Sequence, residues 1–155
     1  MQAKGLACVA EPCEAWVRAR GDRDRIAQVL LNLLTNAVKC TGPGGRVRLW
    51  AEAEGESVRI HVRDTGCGIA PEKQEVIFDP FVQLAPGGSL AEGVGLGLSI
   101  SRELARGMQG ELSVVSAPGE GSTFTLTLPH ARRIPAQKIV EPTWSSTAQE
   151  ESQAG

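Results

Sequence analysis

The stretch RIHVRDTGCGIAPE, from Arg59 to Glu72, decides how the chain folds. Val58, Ile60 and Val62 alternate with Arg59, His61 and Arg63, the period-two pattern of a strand with one buried face. Continuing the count puts Asp64 on the buried parity, and Gly66 and Gly68 follow at once. A carboxylate taken into a core needs a hydrogen-bond donor, or it takes up a proton. Glycines beside it let the backbone turn sharply and let a flat group come close. Two readings fit this combination. Asp64 either closes a tight turn by accepting from nearby amides, or it receives an amine on a planar ring, such as adenine carries.

The flanking sequence supplies the rest of a sheet. Arg46–Ala53 reads as a strand with Val47, Leu49 and Ala51 facing one way and Arg46, Arg48 and Trp50 the other, joined to Ser57–Asp64 through a turn near Gly55. Residues 6–19 read as extended, as Ala7–Ala10 and Ala15–Ala19 split by Pro12. Asp22 is a plausible N-cap for an amphipathic helix over Asp22–Thr41, with Ile26, Val29, Leu30, Leu33, Leu34, Ala37 and Val38 in one apolar arc. A short helix is expected from Pro71. Another is expected over Leu96–Met108, with Leu96, Ile100, Leu104 and Met108 on its inner side. Strands over Glu111–Ser116 and Ser122–Leu128 close the pattern, with Phe124, Leu126 and Leu128 inward and Thr123, Thr125 and Thr127 outward. One apolar face per strand and one apolar stripe per helix predict an α/β two-layer sandwich, a mixed sheet with helices on one face. Residues 1–130 read as one domain and 131–155 as a tail or linker, mostly disordered. Pro80–Gly93 reads as a mobile loop.

Composition narrows the function. The chain has 155 residues, 41% of them hydrophobic, and a net charge of −2, enough for one core and too balanced for a nucleic-acid partner. The basic outer face of the sheet reads as a solvated surface. No apolar run approaches the length of a membrane span and no signal peptide is evident, so a cytoplasmic protein, or the cytoplasmic part of a larger membrane-bound one, is expected, with no membrane contact by this segment. Cys8, Cys13, Cys40 and Cys67 match no zinc spacing and read as reduced thiols.

Two further features carry chemistry. Gln28, Asn32, Asn36 and Lys39 share one helical stripe away from the apolar arc. Asparagine costs a helix about 0.6 kcal/mol relative to alanine, so two of them in mid-helix suggest either helix–helix hydrogen bonding or an amide oxygen offered to Mg2+, with Lys39 placed for a phosphate. Glu92-Gly93-Val94-Gly95-Leu96-Gly97-Leu98 precedes the Leu96–Met108 helix. Alternating glycines there expose backbone N–H groups at a helix N-terminus, which favours anions. No Gly-Lys-Ser/Thr follows, so this is not a Walker A loop.

In this order the features resemble the ATP-binding catalytic domain of two-component sensor histidine kinases, within the GHKL superfamily shared with type II topoisomerases, Hsp90 and MutL. QVLLNLLTNAVKCT (Gln28–Thr41) resembles the N box. DTGCGI (Asp64–Ile69) and GVGLGLSI (Gly93–Ile100) resemble the two glycine boxes, FDPF (Phe78–Phe81) the F box, and MQGELSVVSAPGEGSTFTLTLP (Met108–Pro129) the closing segment. The resemblance implies the Bergerat fold and a protein-histidine kinase using Mg·ATP. By resemblance, Asn36 would coordinate Mg2+, with Asn32 assisting and Lys39 touching phosphate. Asp64 would accept from the adenine amino group, with Gly66, Gly68 and Ile69 shaping the approach of the ring. Phe78 and Phe81 would anchor an ATP lid. Gly93, Val94, Gly95, Leu96, Gly97 and Leu98 would form the phosphate-binding end of the helix, and Thr123 would complete the nucleotide set.

The chain departs from that pattern in four respects. It has no phosphoacceptor box, because His61 lies on a strand and His130 follows a proline. The implied partners are therefore a histidine-bearing dimerisation segment, in cis or in trans, and a downstream response regulator. No basic residue occurs between Lys73 and Arg102, Glu92 stands where relatives often have glycine, and Cys40 where phenylalanine is common. Two rival readings follow: a GHKL-type ATP hydrolase, or a non-enzymatic nucleotide-binding module with a degenerate lid.

Overall fold

The computed structural model describes residues 5–83 and 95–131. The chain runs β1 (Ala7–Ala10), α1 (Arg23–Cys40), β2 (Arg46–Glu54), β3 (Ser57–Asp64), two 3-10 turns (Pro71–Lys73 and Val76–Phe78), α2 (Gly97–Gly107), β4 (Glu111–Ala117) and β5 (Gly121–Pro129). One mixed sheet has the order β1-β2-β3-β5-β4. Only β1 and β2 are parallel; the other neighbours are antiparallel. This topology follows from chain length. Tight turns at Gly55 (φ 60°) and Gly119 (φ 79°) join β2 to β3 and β4 to β5, whereas the parallel β1–β2 step needs all of α1 as its crossover.

Period-two alternation places the core where the sequence predicts it. Val47, Val58, Val62, Leu112, Phe124, Leu126 and Leu128 are buried on one sheet face, and α1 covers it with Val29, Leu33 and Ala37. The arrangement is the two-layer α/β sandwich. On the outer face, Trp50 stacks on His61 with ring centres 4.7 Å apart, Arg59 pairs with Glu54 at 2.7 Å, and Arg48 pairs with Glu11. Such exposed pairs are screened by solvent and contribute little; the buried face carries the stability. Among the described residues no helix is long and apolar enough to cross a membrane.

Helix α1 begins as its capping sequence dictates. The Asp22 carboxylate accepts from the Asp24 amide at 2.9 Å and the Arg25 amide at 3.2 Å, satisfying two donors that the helix itself leaves unpaired. Asp22→Ala should therefore lower stability by about 1 kcal/mol, read as a shift of the urea midpoint at constant slope.

Two expectations need correction. Ala15–Ala19 is not a strand: the Val17 amide bonds back to the Glu14 carbonyl at 3.0 Å in a turn, and only Ala19 bridges to His130. Pro12 and this turn carry the chain across the sheet end instead of along it. The inner stripe of α2 is corrected in part: Met108 is buried and Leu104 packs against the core as expected, whereas Ile100 is 41% exposed and Ser99, Ser101 and Ala105 are buried instead. Small residues face inward because α2 packs tightly on α1, and a search for large apolar residues passes over them. The tail expected over 131–155 lies, from residue 132 onward, outside the described residues, as does 84–94 of the expected loop.

Candidate functional site

Asp64 ends β3 on the inner face and is 3% exposed. Its carboxylate accepts from the Gly66 amide at 2.8 Å. Burial pushes its pKa above the ordinary carboxylate value, and the Gly66 and Ser122 amides oppose that shift only in part. The tight-turn reading of Asp64 is thus present in the structure. It still leaves acceptor capacity on a carboxylate with two oxygens.

The glycines after it are required by the chain's own backbone. A Cβ on Gly66 would sit 2.4 Å from the Cys40 carbonyl oxygen, and one on Gly68, at φ 74°, 1.9 Å from the Ala117 carbonyl oxygen. Four hydrogen bonds then fix the turn. The Ile69 amide donates to Ser116 Oγ at 2.8 Å. Gln74 Nε2 donates to the Ile69 and Ser116 carbonyls at 3.1 and 2.7 Å. The Gly119 amide donates to the Cys67 carbonyl at 2.7 Å. Ile69 itself is a core residue, 8% exposed.

The amide stripe on α1 divides. Asn32 Nδ2 donates to Ser101 Oγ of α2 at 3.0 Å, so this asparagine makes the helix–helix hydrogen bond that the stripe allowed. Its Oδ1 would lie 2.4 Å from a Cβ on Gly97, so any larger residue at the start of α2 would have to displace the Asn32 amide. Asn36, one turn further on, is half-buried and its side chain has no hydrogen-bond partner among the described residues. Lys39 is exposed in the last turn of α1.

Phe78 is buried, edge-on to Phe124 with centroids 6.4 Å apart and beneath the Arg102 guanidinium at 4.6 Å. The ring of Phe81, by contrast, is 71% exposed. Its backbone makes the connection: the Phe81 amide donates to the Gly95 carbonyl at 2.9 Å, with Phe81 at φ 67° and Gly95 at φ 76°. Leu96 precedes α2 with no side-chain cap, so among the described residues nothing occupies the first amides of that helix, the groups that favour an anion. Leu98 packs against the core from that first turn. Gly93 and Val94 lie outside the described residues.

Thr123 requires a correction. It lies on the outer face of β5, across from Arg63, away from Asp64. The residue beside Asp64 in register is Ser122, 6% exposed. Strand parity alone identifies it, since Phe124, Leu126 and Leu128 already mark the even positions as inward.

Helix α1 brings the motifs together. Gly66 abuts Cys40 at its C-terminal end and Gly97 abuts Asn32 two turns earlier, a separation of about 12 Å along the helix. Between these points lies Asn36. A hydrogen-bond acceptor therefore stands at one end and, at the other, a helix N-terminus whose first amides have no partner among the described residues. That polarity suits an elongated molecule with an amine on a flat ring at one end and an anionic group at the other. Among the described residues no cluster of three His, Cys, Asp or Glu could hold a metal. The Asn36 amide oxygen fits a hard cation that takes its other ligands from phosphate and water, as Mg2+ does.

Residues 21–132 match the family model described as histidine kinase-, DNA gyrase B- and HSP90-like ATPase. The chain is 43% identical over 139 residues to the sensor histidine kinase RcsC of Escherichia coli K12, covering 88% of this chain and 14% of the relative. It is 48% identical over 109 residues to the sensor protein TorS of the same strain, covering 70% of this chain and 12% of TorS. The chain thus spans about one seventh of the length of these curated relatives. Among solved structures, the nucleotide-free catalytic domain of histidine kinase ThkA superposes with a TM-score of 0.70 at 31% identity, covering 82% of each chain. Full-length ShkA in complex with AMPPNP superposes with a TM-score of 0.71 at 37% identity, over 81% of this chain and 26% of ShkA.

Proposed function

Because the chain belongs to the family of histidine kinase-, DNA gyrase B- and HSP90-like ATPases and is an ATP-binding catalytic domain of the two-component type, we propose that it binds Mg·ATP between α1, the Asp64 turn and the start of α2. It would transfer the γ-phosphoryl group to a histidine carried on another segment or protein. The observation that carries this reading is the meeting of both glycine motifs on one helix, at Cys40 and Asn32.

The side chains divide the work. Asp64 accepts from the exocyclic amine of adenine and orients the base. The first amides of α2 and the Lys39 ammonium meet the phosphates, so charge on the transferring group faces donors already in place. Asn36 would hold Mg2+ against the phosphates, and the ion when bound offsets phosphate charge and aligns the γ-group. The acceptor imidazole nitrogen forms the new P–N bond as the bond to the ADP oxygen breaks, and ADP leaves with that electron pair.

Neither histidine of the chain serves as acceptor. His61 is on the outer sheet face, bonded to Glu52 and Thr125 at 2.9 Å, and His130 packs near Trp16 with centroids 6.3 Å apart. A response regulator would then take the phosphoryl group from the acceptor histidine, and a cytoplasmic location would supply the ATP. The hydrolase reading is weaker because the only carboxylate within α1 is Asp24, in its first turn, far from Asn36. Incubating the chain with γ-labelled ATP and an excised histidine-bearing hairpin from a cognate kinase should yield acid-labile phosphohistidine. Tight ATP binding with no label on the hairpin would favour the non-enzymatic module instead.

A further inference from the structure

The hydroxyl of Ser116 on β4 sits at the centre of a network that no ligand is needed to explain. It is within 2.8 Å of three partners: the Ile69 amide, the Gly121 carbonyl and the Ser122 hydroxyl. A serine hydroxyl has one proton and two lone pairs. The Ile69 N–H can only donate, so it occupies one lone pair. The Gly121 carbonyl can only accept, so it takes the proton. One lone pair of Ser116 remains, and Ser122 must donate to it. The proton of Ser122 is thereby committed toward β4, on the side away from Asp64.

Ser122 lies in register between Ser116 on β4 and Asp64 on β3. We infer that Ser116 is a specificity-determining positioning residue: by holding the Ser122 proton and the Ile69 amide, it leaves Ser122 presenting only lone pairs beside Asp64, so these two neighbouring side chains accept hydrogen bonds and donate none. The inference rests on the proposal that a nucleotide base occupies that end. A base with an amine at position 6 meets two acceptors there. A base with a carbonyl at position 6 meets two oxygens that repel its own, and the Ser122 proton cannot turn to relieve the repulsion. Ser116 touches no part of the ligand. Its effect passes through the direction of one O–H bond.

The test uses the full chain with Mg2+ and two probes, ATP and ITP, which differ at position 6 of the base by amine against carbonyl with the accompanying N1 proton. Wild-type protein should prefer ATP. Ser116→Ala releases the Ser122 proton, so the ATP:ITP affinity ratio should fall about tenfold, the scale of one redirected hydrogen bond, chiefly through tighter ITP binding. Ser116→Thr keeps the hydroxyl and should retain the wild-type ratio. A merely structural role would change the melting temperature, or both affinities together, and leave the ratio alone. An unchanged ratio in Ser116→Ala, beside clear discrimination by the wild type, overturns the inference. No discrimination in the wild type overturns the placement of the base at Asp64 instead. If Ser116→Ala does not fold, Ser122→Ala carries the test: ATP affinity must fall while ITP affinity holds or rises, and an equal loss of both counts against the role of Ser116.

Discussion

Asp64→Asn should raise the melting temperature of the ligand-free protein at neutral pH while weakening ATP binding by roughly two orders of magnitude. Both effects come from the same burial. The Asp64 carboxyl is 3% exposed, and desolvation raises its pKa in the folded state against the partial help of the Gly66 and Ser122 amides. A carboxyl whose folded pKa lies above its unfolded value binds more protons folded than unfolded across the interval between the two. Its contribution to stability therefore declines as pH rises from the ordinary carboxylate range through the raised folded value, and the deficit is complete above it. Asparagine is neutral throughout, and its side-chain oxygen can still accept from Gly66. The variant should lose this part of the pH dependence and be the more stable protein at pH 7. What it cannot supply is a charged acceptor for an exocyclic amine. Melting curves between pH 4 and pH 8, paired with ATP titrations, check both halves. A variant that is less stable and binds as well as wild type would reverse the assignment.

Asn36→Ala should leave the fold nearly untouched and remove the Mg2+ dependence of triphosphate binding. Its side chain has no hydrogen-bond partner among the described residues, and alanine is the better helix former by about 0.6 kcal/mol. Stability should thus hold or rise slightly. Removing a group that stabilises charge on a reacting centre lowers rates by about 100- to 1,000-fold, and phosphoryl transfer to a supplied hairpin should fall on that scale. Asn32→Ala makes the useful contrast. That residue is engaged with Ser101, so its loss should lower stability by about 1 kcal/mol and leave a Mg2+ response. If Asn36→Ala keeps the wild-type Mg2+ dependence, the amide oxygen is not the metal's ligand.

Much of the architecture was legible because burial writes a period into a strand. The alternation through Val58, Ile60 and Val62 placed Asp64 inside, and the same parity separates Ser122 from Thr123 once it is followed on β5. Helix α1 was equally plain, since seven apolar residues and an aspartate cap agree on one answer. Helix α2 was less so. Its hydrogen bond to α1 is made by Ser101, and the burial of Ser99, Ser101 and Ala105 leaves no hydrophobic signal at those positions to count. The glycines illustrate a second limit. Their spacing suggested room for a ligand, whereas Gly66 and Gly68 are first required by the Cys40 and Ala117 carbonyls. Contacts between residues so distant in sequence carry no local pattern. The same holds for Ser116, whose importance lies in which atoms it meets and not in its neighbours along the chain.

Calorimetric titration of the chain with ATP and with GTP, each with and without Mg2+, tests most directly whether the Asp64 turn, Asn36 and the start of α2 act on one molecule. A single site per chain is expected, with ATP bound more tightly than GTP and Mg2+ strengthening the triphosphate interaction. Equal affinities for the two nucleotides together with indifference to Mg2+ would show that these three elements do not share a ligand.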